Sequence, residues 1–202
     1  MEIRPLRIAG AFEVTPRLFP DDRGVFLESF RGDRLAEAVG HPMGVLQSNV
    51  SVSSRGTVRG IHFADVPVGQ AKYVTAVAGS LVDYVVDLRV GSPTFGQWDS
   101  VLLDAVDRRA VYLAEGLGHA FCALEDGTTA HYLCSSVYNP GAEHGVNPLD
   151  PEIGLALPDG LEPLLSPKDA VAPTLAEAAE AGLLPTLEAC LAHTALLAER
   201  SR

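Results

Sequence analysis

The run Tyr73-Val74-Thr75-Ala76-Val77-Ala78-Gly79-Ser80-Leu81-Val82-Asp83-Tyr84-Val85-Val86-Asp87-Leu88 decides the fold class. β-branched and aromatic residues dominate both halves, and Gly79-Ser80 interrupts them, which is the pattern of two strands joined by a two-residue hairpin loop. In the second half Val82, Tyr84, Val86 and Leu88 share one face, while Asp83 and Asp87 fall on the other. Working outward, Trp98 to Leu103, Ala110 to Leu113, His119 to Leu124 and Thr129 to Val137 continue the series, with Gly, Pro and Asp between them. Such spacing predicts an all-β protein built as a β-sandwich or barrel. A parallel α/β sheet would need helical crossovers, and this region shows none.

Helical patterns sit at the margins. One short helix is expected around Gly32 to Val39. Thr174-Leu175-Ala176-Glu177 is a capping-box pattern opening an Ala/Glu-rich helix that Gly182 closes, and Pro185-Thr186 starts a second helical stretch reaching Glu199. The chain therefore divides into a β domain over 1–173 and a helical extension over 174–202 packed on that same domain. The Pro-containing segment Asn147 to Pro173 is an irregular arm between them.

Composition narrows the function. The 202 residues are 47% hydrophobic, enough for a single core, and carry a net charge of −11, which argues against a nucleic-acid binder. An anionic ligand would need a local group of Arg and Lys. No apolar run approaches the 18 or so residues of a membrane span, and Met1-Glu2-Ile3-Arg4-Pro5 lacks the layout of a signal peptide. Cys122, Cys134 and Cys190 are odd in number and widely spaced, as expected of reduced thiols in a cytoplasmic protein.

Arg59-Gly60-Ile61-His62-Phe63, with Lys72 ten residues beyond His62, puts a guanidinium, an imidazole and an ammonium on one strand–loop–strand unit. An imidazole takes a proton near neutral pH, and adjacent cations can hold an oxyanion or a phosphate. A half-buried strand histidine between two surface cations would carry the same sequence. His62 is followed by Phe63, so the His-x-His spacing of many β-barrel metal sites is missing; with only His119 as a distant second ligand, no metal is expected. His41, His131, His144 and His193 lack ligand spacing. Tyr132 and Tyr138, six apart, are expected on one strand and one face, as proton donors or as core filling. Asp169, in Ser166-Pro167-Lys168-Asp169, is a loop acid that either orients an imidazole or serves its own turn. Arg23, Arg59, Lys72 and Lys168 are the candidates for the local positive charge.

Taken in order, Phe19-Pro20-Asp21-Asp22-Arg23-Gly24, Glu28-Ser29-Phe30, Gln47-Ser48-Asn49, Arg59-Gly60-Ile61-His62-Phe63, Gln70-Ala71-Lys72, Asp87-Leu88-Arg89, Ser92 to Trp98, Glu115 to Phe121 and Tyr138 resemble the dTDP-4-dehydrorhamnose 3,5-epimerase family. The resemblance runs from about Leu18 to about Pro173. It implies a cupin-type jelly roll, a homodimer, and a cofactor-free epimerase of dTDP-4-keto-6-deoxy-D-glucose that inverts C3 and C5. By the same match His62 is the base, Asp169 its dyad partner, Lys72 the group near the C4 oxygen, and Tyr132 the acid on the opposite face. Arg23, Glu28, Gln47, Asn49, Arg59, His119, Glu143 and Lys168 fall at substrate-contact positions. Tyr138 is a further pocket residue, and Phe19 or Phe26 would stack on thymine. Ala64 stands where the family often has Gln, and Asn147 to Pro151 with the helical tail resemble paralogues that make unusual deoxysugars and invert one carbon only. A metal-dependent cupin, a ketoisomerase on the same fold, and a non-catalytic sugar-nucleotide binder are the rival readings.

Overall fold

The computed structural model describes residues 1–201 as two facing antiparallel sheets. The strands are β1 (Glu2–Pro5), β2 (Ala11–Thr15), β3 (Leu18–Asp21), β4 (Gly24–Leu27), β5 (Gln47–Ser53), β6 (Val58–Ala64) and β7 (Lys72–Ala78). They continue as β8 (Ser80–Val86), β9 (Trp98–Asp104), β10 (Ala110–Leu113), β11 (Gly118–Ala123), β12 (Thr128–Cys134) and β13 (Glu143–Gly145). The helices are α1 (Gly32–Val39), α2 (Pro167–Ala170), α3 (Leu175–Glu180) and α4 (Leu187–Glu199). One sheet has the order β1-β2-β10-β7-β12-β5, the other β13-β6-β11-β8-β9, and β3 pairs only with β4 as a separate hairpin. This is the expected sandwich. No described helix is long and apolar enough to cross a membrane.

The strand alternation sorts side chains into three buried layers. Val74, Ala76, Val111 and Leu113 from the six-stranded sheet meet Leu81, Val85, Leu103 and Phe121 from the five-stranded sheet between the two. Val82, Tyr84, Val86 and Leu88 do share a face, the outer one, and the arm after β13 covers it with Val146, Ile153, Leu175, Ala178 and Leu184. Burying side chains of this size is worth roughly 1.5–3 kcal/mol each, which holds an otherwise irregular arm in place. On the far side, Tyr73 and Tyr112 pack with Leu35 of α1. The capping box of α3 forms as expected: Thr174 Oγ1 accepts from Glu177 N, and Glu177 accepts from Thr174 N.

Two expectations are corrected. Tyr73 to Leu88 is not a hairpin, because β7 pairs with β10 and β12 while β8 pairs with β11 and β9, in the other sheet. At Gly79 (φ +68) the chain crosses between sheets, and a Cβ there would strike Thr128. Alternation specifies which residues share a face but not which strand lies alongside; here both strands turn apolar residues toward the same inter-sheet space, so they face each other rather than pair. Likewise β12 ends at Cys134, so Tyr138 is on the following loop and not on the strand of Tyr132.

A bulge sets up the site. His119 pairs with His62 and Phe121 with Arg59, so Gly60 and Ile61 oppose Ala120 alone. Arg59 and His62, three apart, would face opposite ways on a regular strand, and the bulge turns both inward. Gly60 (φ +121) is required there: any Cβ would collide with the His119 carbonyl and with Ala120. Gly60→Ala is expected to lower unfolding free energy by at least about 1–3 kcal/mol, read as a lower urea midpoint; an unchanged midpoint would show that the bulge relaxes freely.

Candidate active site

His62 and Asp169 meet although 107 positions separate them: the imidazole Nε2 lies 2.7 Å from Asp169 Oδ1. Ser166 caps the short helix α2, its hydroxyl accepting from Asp169 N at 3.1 Å with Pro167 at the first turn, and this fixes the acid on its loop. Asp169 is buried, while the His62 side chain is about one-third exposed (33%). Burial pushes the Asp169 carboxyl up, but the hydrogen bond and charge of His62, with bonds from Ser166 and the Gly60 backbone, hold it below the usual carboxylate range. A carboxylate on Nε2 selects the tautomer that leaves Nδ1 with a free lone pair, the arrangement of a general base.

A cavity of about 260 Å³ opens between the sheets beside this pair. From the five-stranded sheet it is lined by His62 and Arg59 of β6, His119 and Phe121 of β11, and Glu143 of β13. From the six-stranded sheet come Lys72 of β7, Tyr132 of β12 and Ser51 of β5; Tyr138 and Ser166 from loops and Lys168 and Asp169 from α2 complete it. Arg59 is braced by Ser53 Oγ and the Val52 carbonyl of β5. Lys72 is deeply buried; desolvation lowers its pKa, and the charges of Cys134, Glu143 and Asp83 push the other way. Burial raises the Tyr132 phenol, so it is protonated at neutral pH. A base with its orienting acid, an ammonium and a protonated phenol thus border one small cavity, the set needed to move a proton at carbon beside a carbonyl.

Nine of the fifteen residues named from sequence border this cavity, and six stand apart. Phe19 and Phe26 lie on the β3–β4 hairpin, 43% and 68% exposed. Arg23 at its tip pairs with Asp21, and Glu28 pairs with Arg31. Gln47 and Asn49 sit on β5 beside Tyr132, bonded to each other at 3.0 Å; Gln47 Oε1 accepts from Tyr138 N at 2.7 Å and so holds the tyrosine loop. His131 and His144 pair with Ser48 and Asp65, away from the cavity lining. Among the described residues no group of three His, Cys, Asp or Glu side chains is placed to hold a metal.

One polar residue behind the cavity was not singled out from sequence. Asp83 is fully buried and accepts from His119 Nε2 at 2.7 Å. Its signal was present: Asp83 shares a face with Leu81 and Val85 and so faces the core, where an acid demands a partner.

A family model described as dTDP-4-dehydrorhamnose 3,5-epimerase matches residues 5–177. The chain belongs to this family. Within it, similar proteins include a dTDP-4-dehydrorhamnose 3-epimerase of Streptomyces niveus, 59% identical over 96% of this chain and 93% of the relative. A dTDP-4-dehydrorhamnose 3,5-epimerase of Mycolicibacterium smegmatis is 55% identical over 98% of this chain and 97% of its own. Among solved structures, a 3'-monoepimerase from Streptomyces bikiniensis in complex with dTDP-quinovose superposes with a TM-score of 0.94 at 51% identity, covering 96% of this chain and 98% of that one. The sandwich described above is therefore the epimerase fold.

Proposed function

We propose that the protein epimerises dTDP-4-keto-6-deoxy-D-glucose at C3 and C5 without a cofactor. The observation that carries this reading is that the His62–Asp169 pair enters one cavity from the five-stranded sheet while Lys72 and Tyr132 enter from the facing sheet. The C4 ketone acidifies the hydrogens on its two neighbouring carbons. His62 removes one of them, the electron pair moves onto the C4 oxygen, and the Lys72 ammonium stabilises that enolate. Tyr132 returns a proton to the other face of the same carbon and the ketone re-forms, so the centre is inverted. General acid–base assistance of this kind is worth roughly 10²–10⁴-fold. Arg59 and Lys168 supply positive charge for the diphosphate on a chain of net charge −11.

The assembly in this reading is a homodimer. Phe19, Arg23, Phe26 and Glu28 lie on or beside a projecting hairpin that borders none of this chain's own cavity, so their contact with substrate requires the hairpin of a second copy. The three buried, unpaired cysteines suit the reducing cytoplasm in which nucleotide sugars are made.

Inversion at one carbon only is the second reading, favoured by the 59% identical relative named as a 3-epimerase. Incubation with the ketosugar in D2O tests both: label and inversion at C3 and C5 supports the first, label at one carbon supports the second, and no label sinks both. Tyr132→Phe is expected to suppress C5 inversion more than C3 exchange, by roughly 10²-fold as a lost general acid. Equal loss at both carbons, counted by proton NMR, would remove Tyr132 from that position.

A further inference from the structure

We infer that Asp83 is a positioning residue of this active site: its buried carboxylate fixes the His119 ring, and its charge adds to those facing the Lys72 ammonium. The inference rests on the epimerase reading for its kinetic arm. Asp83 is 0% exposed in the middle of β8, bonded to the lining residue His119, opposite the lining residue Phe121 on the neighbouring strand, and not itself part of the lining. Its Oδ2 accepts from His119 Nε2 at 2.7 Å, while its Oδ1 is buried with no hydrogen-bond partner. That bond makes Nε2 the protonated nitrogen, so Nδ1 is the ring nitrogen open to a ligand.

A lone buried carboxylate would neutralise itself, and a lone buried ammonium would do the same. Burial drives Asp83 up and Lys72 down; the His119 and Lys72 charges restrain the first shift, and Asp83 is among the charges restraining the second. The groups acting on Lys72 come from three strands: Cys134 of β12, Glu143 of β13 and Asp83 of β8. His119 of β11 and Tyr132 of β12 line the same cavity. Of these Asp83 alone is also bonded to a second lining residue, so it sets the ring orientation and adds to the field at the ammonium.

Asp83→Asn keeps the shape and an oxygen acceptor while removing the charge. Turnover is expected to fall about 10²-fold, the scale for weakening one oxyanion donor, with KM nearly unchanged. Loss of the carboxylate lowers the Lys72 pKa further, so the alkaline limb of the kcat profile moves to lower pH. Without substrate, 15N NMR of the free protein should show His119 protonated at Nε2 in the wild type, and Lys72 titrating at lower pH in the variant. Wild-type turnover and pH profile in Asp83→Asn would overturn the inference, as would kcat per folded molecule that is normal in a merely less stable variant. Should the variant not fold, a wild-type His119 lacking the Nε2 proton overturns it equally. Failure of the wild type to exchange deuterium would defeat the epimerase reading but leave the NMR arm to decide Asp83.

Discussion

His62→Gln should abolish deuterium incorporation at both carbons flanking the ketone, with a fall in turnover of roughly 10²–10⁴-fold, the range for a positioned general base. The substitution isolates chemistry from folding. A glutamine amide nitrogen can take the place of the imidazole Nε2 and still donate to Asp169, so helix α2, held by Ser166 and Pro167, keeps its anchor and the Asp169 carboxylate is not left unpaired. What is lost is the lone pair on Nδ1. Binding of dTDP should persist, because Arg59 and Lys168 are untouched, and isothermal titration checks this. Exchange at the wild-type rate with either hydrogen would transfer the base role elsewhere; exchange lost along with dTDP binding would instead indicate a collapsed cavity.

Lys72→Met is expected to cost about 10²–10³-fold in turnover, the measured scale for removing one donor from an oxyanion site, while leaving the protein at least as stable. The two effects have opposite signs for a physical reason. Lys72 is buried, and desolvation places its folded-state pKa below the unfolded value. Between those two values the native state binds fewer protons than the unfolded chain, so stability rises with pH; below the folded-state pKa the full desolvation cost is carried. Methionine has a similar length, needs no counter-charge and adapts to irregular space, and Asp83, which burial already pushes up, takes a proton when the ammonium is removed and so is not left as an unpaired buried charge. A thermal melt at neutral pH therefore separates the readings. Lower stability together with lower turnover would mark Lys72 as a structural residue, whereas preserved stability with lost exchange marks it as the enolate clamp. Wild-type turnover would exclude it from the reaction.

The bulge at Gly60 links these predictions to the fold. A shared cavity needs His62 and Arg59 on the same side of β6, and one extra residue opposite Ala120 allows it. Gly118 is under similar constraint, since a Cβ there would strike Ile61 and Leu88 on the covered outer face. The motifs around His62 and His119 are thus as much about close backbone approach as about the imidazoles they carry.

The sequence by itself determined the strand-rich class, the short helix at Gly32–Val39 and the capping box at Thr174, and it supplied the candidates for the chemistry, because these follow from alternation, local hydrogen bonding and residue type. Only the tertiary structure decided that β7 and β8 lie in different sheets, that Asp169 reaches His62, that Asp83 stands behind His119, and that the β3–β4 hairpin lies off this chain's own cavity. Periodicity encodes which face a side chain takes. It carries no information on which strand becomes the neighbour, for that depends on how two complete sheets bury their apolar faces against each other.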